Sequence, residues 1–378
     1  MREAIHNLEA SKIREVANAG LGRDDVLAFW FGESDEVTPE VIRQAAIDSL
    51  QRGETFYAHN LGLPELREAI ARYTSALHPA VDASRIAVTS GGVSALMLAV
   101  QALVDAGDEV VAVTPVWPNL TAQPAILGAQ VRTVPLVPAD GQWTLDLAAL
   151  RKAVTPKTRL LIVNAPNNPT GWTMTREEQQ AVLDHCRETG TWILADEVYE
   201  RLYFEPTPNS CAPSFLDISR PDDRLVVTHS FSKSFLMTGW RLGWLVLSPA
   251  LVDGIGKLIE FNTSCASVFT QRAAIAAIDH TAEITPPAWW PTSSSAATPW
   301  CPFWPRCPAF RWPPPRAACT PSSASKASAT PSTSPSAWSS KPASAWPPAM
   351  PSPPKPRAGC AGASPPRTRS GWSRAWSA

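Results

Sequence analysis

The sequence predicts an α/β protein whose large domain holds a mainly parallel, doubly wound sheet. Short apolar runs rich in β-branched residues recur between residues 85 and 247, and segments with helical spacing of apolar residues lie between several of them. Strand, helix and strand in alternation are typical of crossover connections, which keep successive strands parallel. In such a sheet, ligands bind beyond the carboxyl ends of the strands.

The N-terminal residues 1–37 are predicted to form an amphipathic arm that closes with an apolar, strand-like run at 27–31, directly before Gly32. The Thr-Pro-Glu sequence at 38–40 then predicts a helix start, because a hydroxyl can cap the first turn and proline fits its first position. Residues 56–70 are interpreted as a loop that runs into a second helix.

The alternating region follows. Strands are predicted at 85–89, 109–113, 158–163, 191–195, 224–228 and 242–247, the last as an extra strand. Helices are predicted at 93–105, 176–189 and 250–260. The polar residues that could carry chemistry follow the strands, at 90–92, 117, 164–168, 196 and 230–233. This common position at strand ends predicts that they form one site.

Composition excludes some classes of function. The chain has 378 residues, 44% of them hydrophobic, which suffices for one large or two ordinary domains. No apolar run is long enough to span a membrane, and the N-terminus lacks the pattern of a signal peptide, so a cytoplasmic protein without a membrane partner is expected. A formal net charge of -1 argues against nucleic acid as a partner. The 7 cysteines lack metal-ligand spacing, which predicts unpaired thiols and no metal site.

The segment 230–243 carries the strongest chemical signal. Lys233 lies between serines, and a lysine becomes nucleophilic when a crowded site lowers its pKa. Ser230 and the guanidinium of Arg241 suit a phosphate group. The combination predicts a phosphorylated aldehyde cofactor, pyridoxal phosphate, trapped by Lys233. The alternative is a polar surface loop that happens to contain lysine and arginine.

Two further segments fit such a cofactor. Gly91 and Gly92 follow a strand and begin a helix, so free backbone N–H groups can bind an anion there, although a tight turn explains the glycines equally well. Asp196 ends an apolar strand, and a buried carboxylate needs a cationic or hydrogen-bonding partner such as a protonated pyridine nitrogen. The alternative for Asp196 is a helix N-cap.

Three other positions could complete the cofactor site. Tyr199 could share a helical face with Asp196 and reach the phenolic oxygen of the ring. Trp117 could stack on the ring, although a tryptophan near a strand end is commonly part of the core. Residues 164–171 contain two prolines and a glycine that fix an irregular backbone around the amides of Asn167 and Asn168.

Taken in order, these motifs resemble the class I/II aminotransferases of pyridoxal phosphate fold type I, the aspartate aminotransferase-like enzymes. The resemblance covers roughly residues 25–275 and is specific, because several spaced motifs agree in both order and content. It implies catalytic roles for Lys233, Asp196 and Tyr199. It implies cofactor contacts for Gly92, Val93, Trp117, Asn168, Asp196, Tyr199, Ser230, Lys233, Arg241 and, from a neighbouring subunit, Tyr57. It implies substrate contacts for Gly32 and Asn168.

The resemblance also implies the organisation and activity of the protein. Residues 1–40 would form an N-terminal arm and part of a small domain, and residues 41–283 the large domain that binds pyridoxal phosphate. The expected reaction moves an amino group between an amino acid and a 2-oxo acid in a homodimer. A C–S β-lyase of the same fold, which also depends on pyridoxal phosphate, remains an alternative. So does a catalytically impaired remnant that only binds the cofactor.

Residues 284–378 have a composition that no ordinary folded domain shows. After Ile284 the chain contains no Leu, Ile, Val, Tyr, Asp, Glu, Asn, Gln or His, yet it holds 22 of the 38 prolines and 9 of the 16 tryptophans. A packed core needs branched aliphatic side chains. The residues that predominate have codons with C or G at the second base. In a GC-rich gene, the third base of most codons is G or C. If the reading frame shifts so that this base becomes the second base of each codon, the encoded residues are those seen here.

We therefore predict that this tail is translated out of frame, is disordered and leaves the small domain incomplete. Back-translation of residues 357–365 with a two-base offset and free choice of wobble bases can yield Gly-Trp-Leu-Arg-Trp-Cys-Phe-Ala. Residues 316–323 and 346–354 give further family-like segments in the same offset and order. The segment obtained from residues 357–365 would carry the arginine that binds the substrate carboxylate. A genuine disordered tail rich in proline and serine is the alternative.

Overall fold

The structure of the chain, a computed structural model, describes residues 1–285 except residues 24, 27–29, 35, 140 and 206. The α-helices are α1 (Glu3–His6), α2 (Lys12–Gly20), α3 (Glu40–Gln51), α4 (Pro64–Leu77), α5 (Gly92–Leu103), α6 (Asn119–Ile126), α7 (Leu147–Ala153), α8 (Arg176–Thr189), α9 (Phe231–Ser234), α10 (Val252–Thr263), α11 (Val268–Asp279) and α12 (Thr281–Ile284). The strands are β1 (Ile86–Thr89), β2 (Glu109–Thr114), β3 (Gln130–Ala139), β4 (Gln142–Leu145), β5 (Thr158–Asn164), β6 (Trp192–Asp196), β7 (Leu225–Ser230) and β8 (Gly243–Leu247).

Within these described residues the strands form one eight-stranded sheet in the order β1-β8-β7-β6-β5-β2-β3-β4. The pairs β7–β6, β6–β5, β5–β2 and β2–β3 are parallel. Strand β8 runs antiparallel to both of its neighbours, β1 and β7, and β4 runs antiparallel to β3. The mainly parallel sheet predicted from the sequence is thus confirmed, with β8 as the extra strand, inserted antiparallel.

Helices cover both faces of the sheet, as a doubly wound fold requires. One apolar core packs side chains of α3, α4, α8 and α11 against one face. A second core packs α5, α6 and α10 against the other face. The strands between them are buried on both sides, which explains their nearly continuous apolar sequences.

The two strands at one edge, β3 and β4, were not predicted from the sequence. Along β3 only Val134 and Leu136 are buried, so the strand lacks the continuous apolar run of its neighbours. Pro135 and Pro138 lie within it, and proline argues against a central strand. Helices α6, α7 and α11 were also missed.

Two predictions for the N-terminal region are corrected. Helix α3 begins at Glu40 with Pro39 as its N-cap residue and without a side-chain cap, so Thr38 does not cap it. The strand predicted at 27–31 falls partly on 27–29, outside the described residues, and Trp30 and Phe31 lie in bends rather than in a strand. The anomalous residues 286–378 also lie outside the described part of the chain. Among the described residues, no helix is both long and apolar enough to cross a membrane.

Candidate active site

The site is built where β1, β5, β6 and β7 end. Asn164, Asp196 and Thr228 are aligned across β5, β6 and β7. At the other side of β7, Gly243 pairs with Ser230 and also with Thr89. Residues that are more than a hundred positions apart in sequence therefore share one edge of the sheet.

Lys233 lies in the one-turn helix α9, directly after β7. Its Nζ donates a hydrogen bond of 2.6 Å to the carbonyl oxygen of Gly32 and lies 5.5 Å from the centre of the Tyr199 ring. Burial lowers the pKa of Lys233, Glu33 and Asp196 oppose that shift, and Arg241 adds to it. A lowered pKa increases the share of neutral amine, the form that attacks a carbonyl group.

Asp196 is the last residue of β6 and only 2% exposed. Its Oδ1 has no hydrogen-bond partner among the described residues. Burial raises the pKa of Asp196 to about 7, while the backbone N–H of Val198 and the charge of Lys233 act in the opposite direction. An orphaned buried carboxylate oxygen is costly, so its presence points to a missing donor, and a protonated ring nitrogen is such a donor.

Tyr199 and Asn168 contact each other directly. The side-chain amide of Asn168 donates to Tyr199 Oη at 3.1 Å. Asn164 connects the segment of Asn168 to the end of β6. Its Oδ1 accepts a hydrogen bond from the backbone N–H of Asn168 at 2.7 Å, and its Nδ2 donates one to the carbonyl of Asp196 at 3.0 Å. Asn164 lay within the segment singled out from the sequence, but its role in positioning Asn168 was not recognised there.

Tyr199 reaches this position by a different route from the one predicted. Residues 198–201 form a turn rather than a helix, so Asp196 and Tyr199 do not share a helical face. Burial raises the pKa of Tyr199, the negative charge of Asp196 adds to the shift, and the hydrogen bond from Asn168 opposes it. The phenol therefore stays protonated and can donate a hydrogen bond.

A small cradle forms at the start of α5. Gly91 has φ 99°, a conformation that favours glycine, and a Cβ there would meet the guanidinium of Arg241. A Cβ on Gly92 would lie 3.2 Å from the Cβ of Ser230. A Cβ on Gly243 would lie 2.8 Å from the backbone nitrogen of Gly92. The glycines thus allow three backbone segments and one guanidinium to meet at the N-terminus of a 12-residue helix, where the first N–H groups favour an anion.

Arg241 is oriented by contacts within its own loop. It has φ 53°, and its Nη1 donates to the carbonyl of Thr238 at 2.8 Å and to Ser232 Oγ at 3.4 Å. A cavity of about 580 Å³ lies beside it. Thr38, Ser90, Gly239, Trp240, Arg241, Ser267, Phe269 and Thr270 line this cavity. Ser232 is a residue of the lysine motif whose contact with Arg241 the sequence did not reveal.

Thr38 links the N-terminal segment to the loop that follows Lys233. Its hydroxyl donates to the carbonyl of Leu236 at 2.6 Å and accepts from Trp240 Nε1 at 3.0 Å. The sequence offered only the signal of a helix cap at this position. The contact with Trp240, 202 residues away, depends on the tertiary fold and could not be inferred from local patterns.

The structure does not bring every predicted residue to the cradle. Tyr57 is 87% exposed on the surface of the chain. Trp117 is half-buried and packs against the core beneath α5 and α6. Val93, by contrast, lies at the cradle, since it is in the first turn of α5, and 38% of its surface is exposed.

Comparisons with known proteins agree with this geometry. The model of the family described as "Aminotransferase class I and II" matches residues 25–294. A probable aspartate aminotransferase of Methanocaldococcus jannaschii is 32% identical over 279 residues, which cover 72% of this chain and 71% of that protein. An aspartate aminotransferase of Thermotoga maritima is 34% identical over 261 residues, or 68% of this chain and 67% of that protein.

Solved structures give the same result. A single mutant of Thermus thermophilus aspartate aminotransferase superimposes with a TM-score of 0.70 at 30% identity, covering 75% of this chain and 74% of that one. N-succinyldiaminopimelate aminotransferase from Mycobacterium tuberculosis gives a TM-score of 0.69 at 29% identity over 75% and 74% of the two chains. The fold and site therefore define an enzyme of the transferase class with fold type I architecture. This chain belongs to the class I and II aminotransferase family.

Proposed function

We propose that this chain binds pyridoxal phosphate at Lys233 and transfers an amino group between an amino acid and a 2-oxo acid. The observation that carries the proposal is Asp196, whose buried Oδ1 has no partner among the described residues and whose carboxylate feels the charge of Lys233, a lysine with a lowered pKa. A structural carboxylate would have its oxygens satisfied by the protein. Asp196 instead has one carboxylate oxygen that can still accept a hydrogen bond from a ligand. A ring nitrogen that must stay protonated requires such an acceptor.

The other site residues fit the remaining groups of this cofactor. Ser230, Arg241 and the first N–H groups of α5 would hold the phosphate. The Asn168–Tyr199 pair would donate to the ring oxygen, and Trp117 would cover one face of the ring. Gly92 and Val93 would supply backbone N–H groups, because both lie in the first turn of α5.

When bound, pyridoxal phosphate supplies an aldehyde carbon and a ring that withdraws electrons from the substrate Cα. The chain supplies the proton transfers. Lys233 Nζ would accept the proton from the substrate Cα and later release it, which requires the amine to be neutral when it accepts the proton. Asp196, ionised by its cationic partner, would keep the ring nitrogen protonated. Gly32 and Asn168 would contact the substrate beside this lysine.

The substrate class is proposed at the level that the relatives share. Their printed names specify aspartate, aromatic amino acids, prephenate and N-succinyldiaminopimelate, so the amino-group transfer is common while the side chain differs. We accordingly assign an amino acid and a 2-oxo acid as the reactants.

We further propose that two copies form the active dimer. Phe56, Tyr57 and Phe261 are 82%, 87% and 89% exposed, an unusual cost for large aromatic side chains in water. The hydrogen bond from the backbone N–H of Ala58 to Cys265 Sγ, at 3.4 Å, brings their two segments side by side. Tyr57 would then reach the phosphate of the neighbouring subunit. Light scattering after size-exclusion chromatography should give a dimer for the unsubstituted chain and a monomer for Phe261→Asp; a monomer in both cases contradicts the proposal.

We propose the domain organisation from the same family membership, together with the composition of the tail. Residues 1–40 would be the N-terminal arm with part of a small domain, residues 41–283 the large cofactor domain, and residues 284–378 the out-of-frame tail. A cytoplasmic location is supported by the free thiols of Cys186, Cys211 and Cys265.

Borohydride reduction tests the central proposal without requiring turnover. The chain incubated with pyridoxal phosphate should gain a stable pyridoxyl group, and peptide mapping should locate it at Lys233. Lys233→Ala should lose this adduct, whereas Lys257→Ala, which removes an exposed lysine from α10, should keep it. An adduct that persists in Lys233→Ala overturns the assignment. Product analysis then separates the reactions, since a new amino acid indicates transamination and pyruvate with ammonia indicates a β-lyase.

A further inference from the structure

Behind the cofactor-facing side of residues 196–200 lies a buried polar cluster that the proposed chemistry does not use. The turn has two faces. Asp196 and Tyr199 belong to the candidate active site, whereas the side chains of Glu197 and Glu200 enter the interior on the other side and are 2% and 5% exposed. Two buried carboxylates next to the two ring-contacting residues require specific partners.

Glu197 is held by the segment that precedes the short 3-10 helix Phe215–Asp217. Its Oε2 accepts from Ser214 Oγ at 2.5 Å, and its Oε1 accepts from the backbone N–H of Phe215 at 3.0 Å. The backbone N–H of Ser214 in turn donates to Asp217 Oδ2 at 3.1 Å. Burial raises the pKa of Glu197 to about 8, and the hydrogen bond from Ser214 opposes that rise.

Glu200 is held by residues at the end of α4. Tyr73 Oη donates to Glu200 Oε1 at 3.0 Å, and His78 Nε2 lies 3.5 Å from Glu200 Oε2. His229 Nδ1 is also 3.5 Å from the same oxygen, while the His229 ring stacks on Trp244. Burial alone would raise the pKa of Glu200, but the two histidines outweigh it and lower the pKa to about 2.

His78 joins these two halves. Its side chain is fully buried, and its Nδ1 lies 2.8 Å from Asp217 Oδ1 while its Nε2 faces Glu200. Burial lowers the pKa of His78, but the hydrogen bonds to Asp217 and Glu200 outweigh it and raise the pKa to about 10. The imidazole is therefore a buried cation between two carboxylates at neutral pH.

The contacts close on themselves. From Glu197 they pass through Ser214, Asp217 and His78 to Glu200, and the backbone N–H of Glu200 donates back to the carbonyl of Glu197 at 3.0 Å. We call these five residues the back ring. It connects the end of α4, the 214–217 segment and the turn after β6, three elements that are distant in sequence.

We infer that the back ring, centred on His78, is a positioning device that holds Asp196 and Tyr199 where the proposed cofactor needs them. The inference rests on the proposed function. Its physical basis is that Tyr199 lies on the irregular turn 198–201, directly after Asp196 ends strand β6, so the ladder of backbone hydrogen bonds between strands does not extend to the turn. The side chains of Glu197 and Glu200 supply that fixation from behind, so breaking one of their buried contacts should free the turn.

The test compares His78→Gln, Glu200→Gln and the double variant with Ile259→Ala. Ile259 is 1% exposed on the opposite face of the sheet, so its truncation destabilises the protein without touching the back ring. Amide hydrogen exchange of the 193–203 peptide reports the turn directly. The dissociation constant of pyridoxal phosphate, measured by absorbance during titration with the cofactor, reports its effect on the site.

We expect exchange of amides 197–200 to rise about tenfold in His78→Gln, and the dissociation constant to rise by a similar factor, with neither change in Ile259→Ala. The double variant should be no worse than the poorer single variant, because both substitutions break the same link. Equal changes in Ile259→Ala, additive effects in the double variant, or an unchanged dissociation constant overturn the inference.

Ser214→Ala provides a milder opening of the ring and decides the matter if His78→Gln does not fold. It should raise both exchange and the dissociation constant in the same direction; unchanged values overturn the inference. If the unsubstituted chain forms no pyridoxyl adduct at Lys233, the proposed function fails by itself. The exchange rates then still show whether the back ring holds the turn.

Discussion

At the scale of single residues, Asp196 combines burial with an oxygen that has no partner in the described part of the chain, which is unfavourable until a hydrogen-bond donor binds there. Asp196 and Lys233 were found from the sequence because each follows a strand within a recognisable motif. Their contacts were not. That Lys233 Nζ bonds the carbonyl of Gly32, or that Asn164 holds Asn168, depends on how loops cross after folding.

Asp196→Asn should have opposite effects on stability and on cofactor binding. The raised pKa of Asp196 means that the cofactor-free fold favours the protonated carboxyl, so its stabilising effect is present below the unfolded value of 3.8 and is lost as pH rises to about 7. That shift corresponds to at most about 4 kcal/mol. Asparagine cannot ionise, so the variant should gain stability relative to the unsubstituted chain between pH 4 and pH 8.

Urea unfolding of both cofactor-free proteins across this range measures the difference. The same variant should bind pyridoxal phosphate more weakly, because a neutral amide does not keep a ring nitrogen protonated. A stability difference that stays constant with pH would contradict the raised pKa of Asp196.

Gly243→Ala should disrupt the cradle at the start of α5. The new methyl group would lie 2.8 Å from the nitrogen of Gly92 and 2.8 Å from the carbonyl oxygen of His229, both backbone atoms that cannot turn aside. We expect a loss of about 1–3 kcal/mol in the free energy of unfolding, together with weaker phosphate binding. Gly254→Ala is the matched control, since a Cβ there meets nothing within 4 Å and lies in a helix. Equal unfolding midpoints for the two variants would refute the close approach.

At the scale of elements, the buried strands were predictable and the edge strands were not. Strands β5, β6 and β7 each contain a run of at least three consecutive apolar residues, because both faces of these strands are covered by helices. In strand β3 the buried and exposed residues alternate irregularly, and the strand contains prolines. Its own sequence therefore does not predict a strand, and its extended conformation depends on pairing with β2. The turn at 198–201 was taken for a helix because a spacing of three residues suits both.

Helix α8, predicted at its observed bounds, allows the contribution of its N-terminal capping residues to be tested. Thr175 Oγ1 accepts from the backbone N–H of Glu178 at 3.2 Å, and Glu178 Oε2 accepts from the backbone N–H of Thr175 at 2.8 Å. Thr175→Ala should lower the free energy of unfolding by about 0.5–2 kcal/mol, because one N–H at the helix start loses its partner. Thr175→Ser keeps the acceptor and should remain close to the original stability in the same urea titration. Identical losses for alanine and serine would show that the methyl group, not the cap, matters.

At the scale of the whole molecule, the layered fold followed from the sequence, and the position of the site stays a prediction that rests on this fold. Alternating strands and helices fix where the carboxyl ends of the parallel strands meet, and the motif order then assigns chemistry to that edge. The back ring could not be foreseen, since His78, Glu200 and Asp217 come from three segments with no shared pattern. Its members carry ordinary surface residue types, and only the tertiary structure reveals that four of the five are buried together, with Asp217 partly buried beside them.

The composition of residues 284–378 leads to the last prediction. Acidic residues end at Glu283, and branched aliphatic residues end at Ile284, so the change occurs at one point in the chain. If the reading frame shifts between residues 281 and 287, the chain as written lacks the arginine for the substrate carboxylate. Loss of a buried charged contact costs about 2–5 kcal/mol of binding. The written chain should therefore bind pyridoxal phosphate at most, without measurable transamination, whereas the frame-restored chain should turn over. Resequencing the gene at codons 275–290 and assaying both proteins with the same amino donors decides this; a confirmed frame together with normal turnover of the written chain would falsify the prediction.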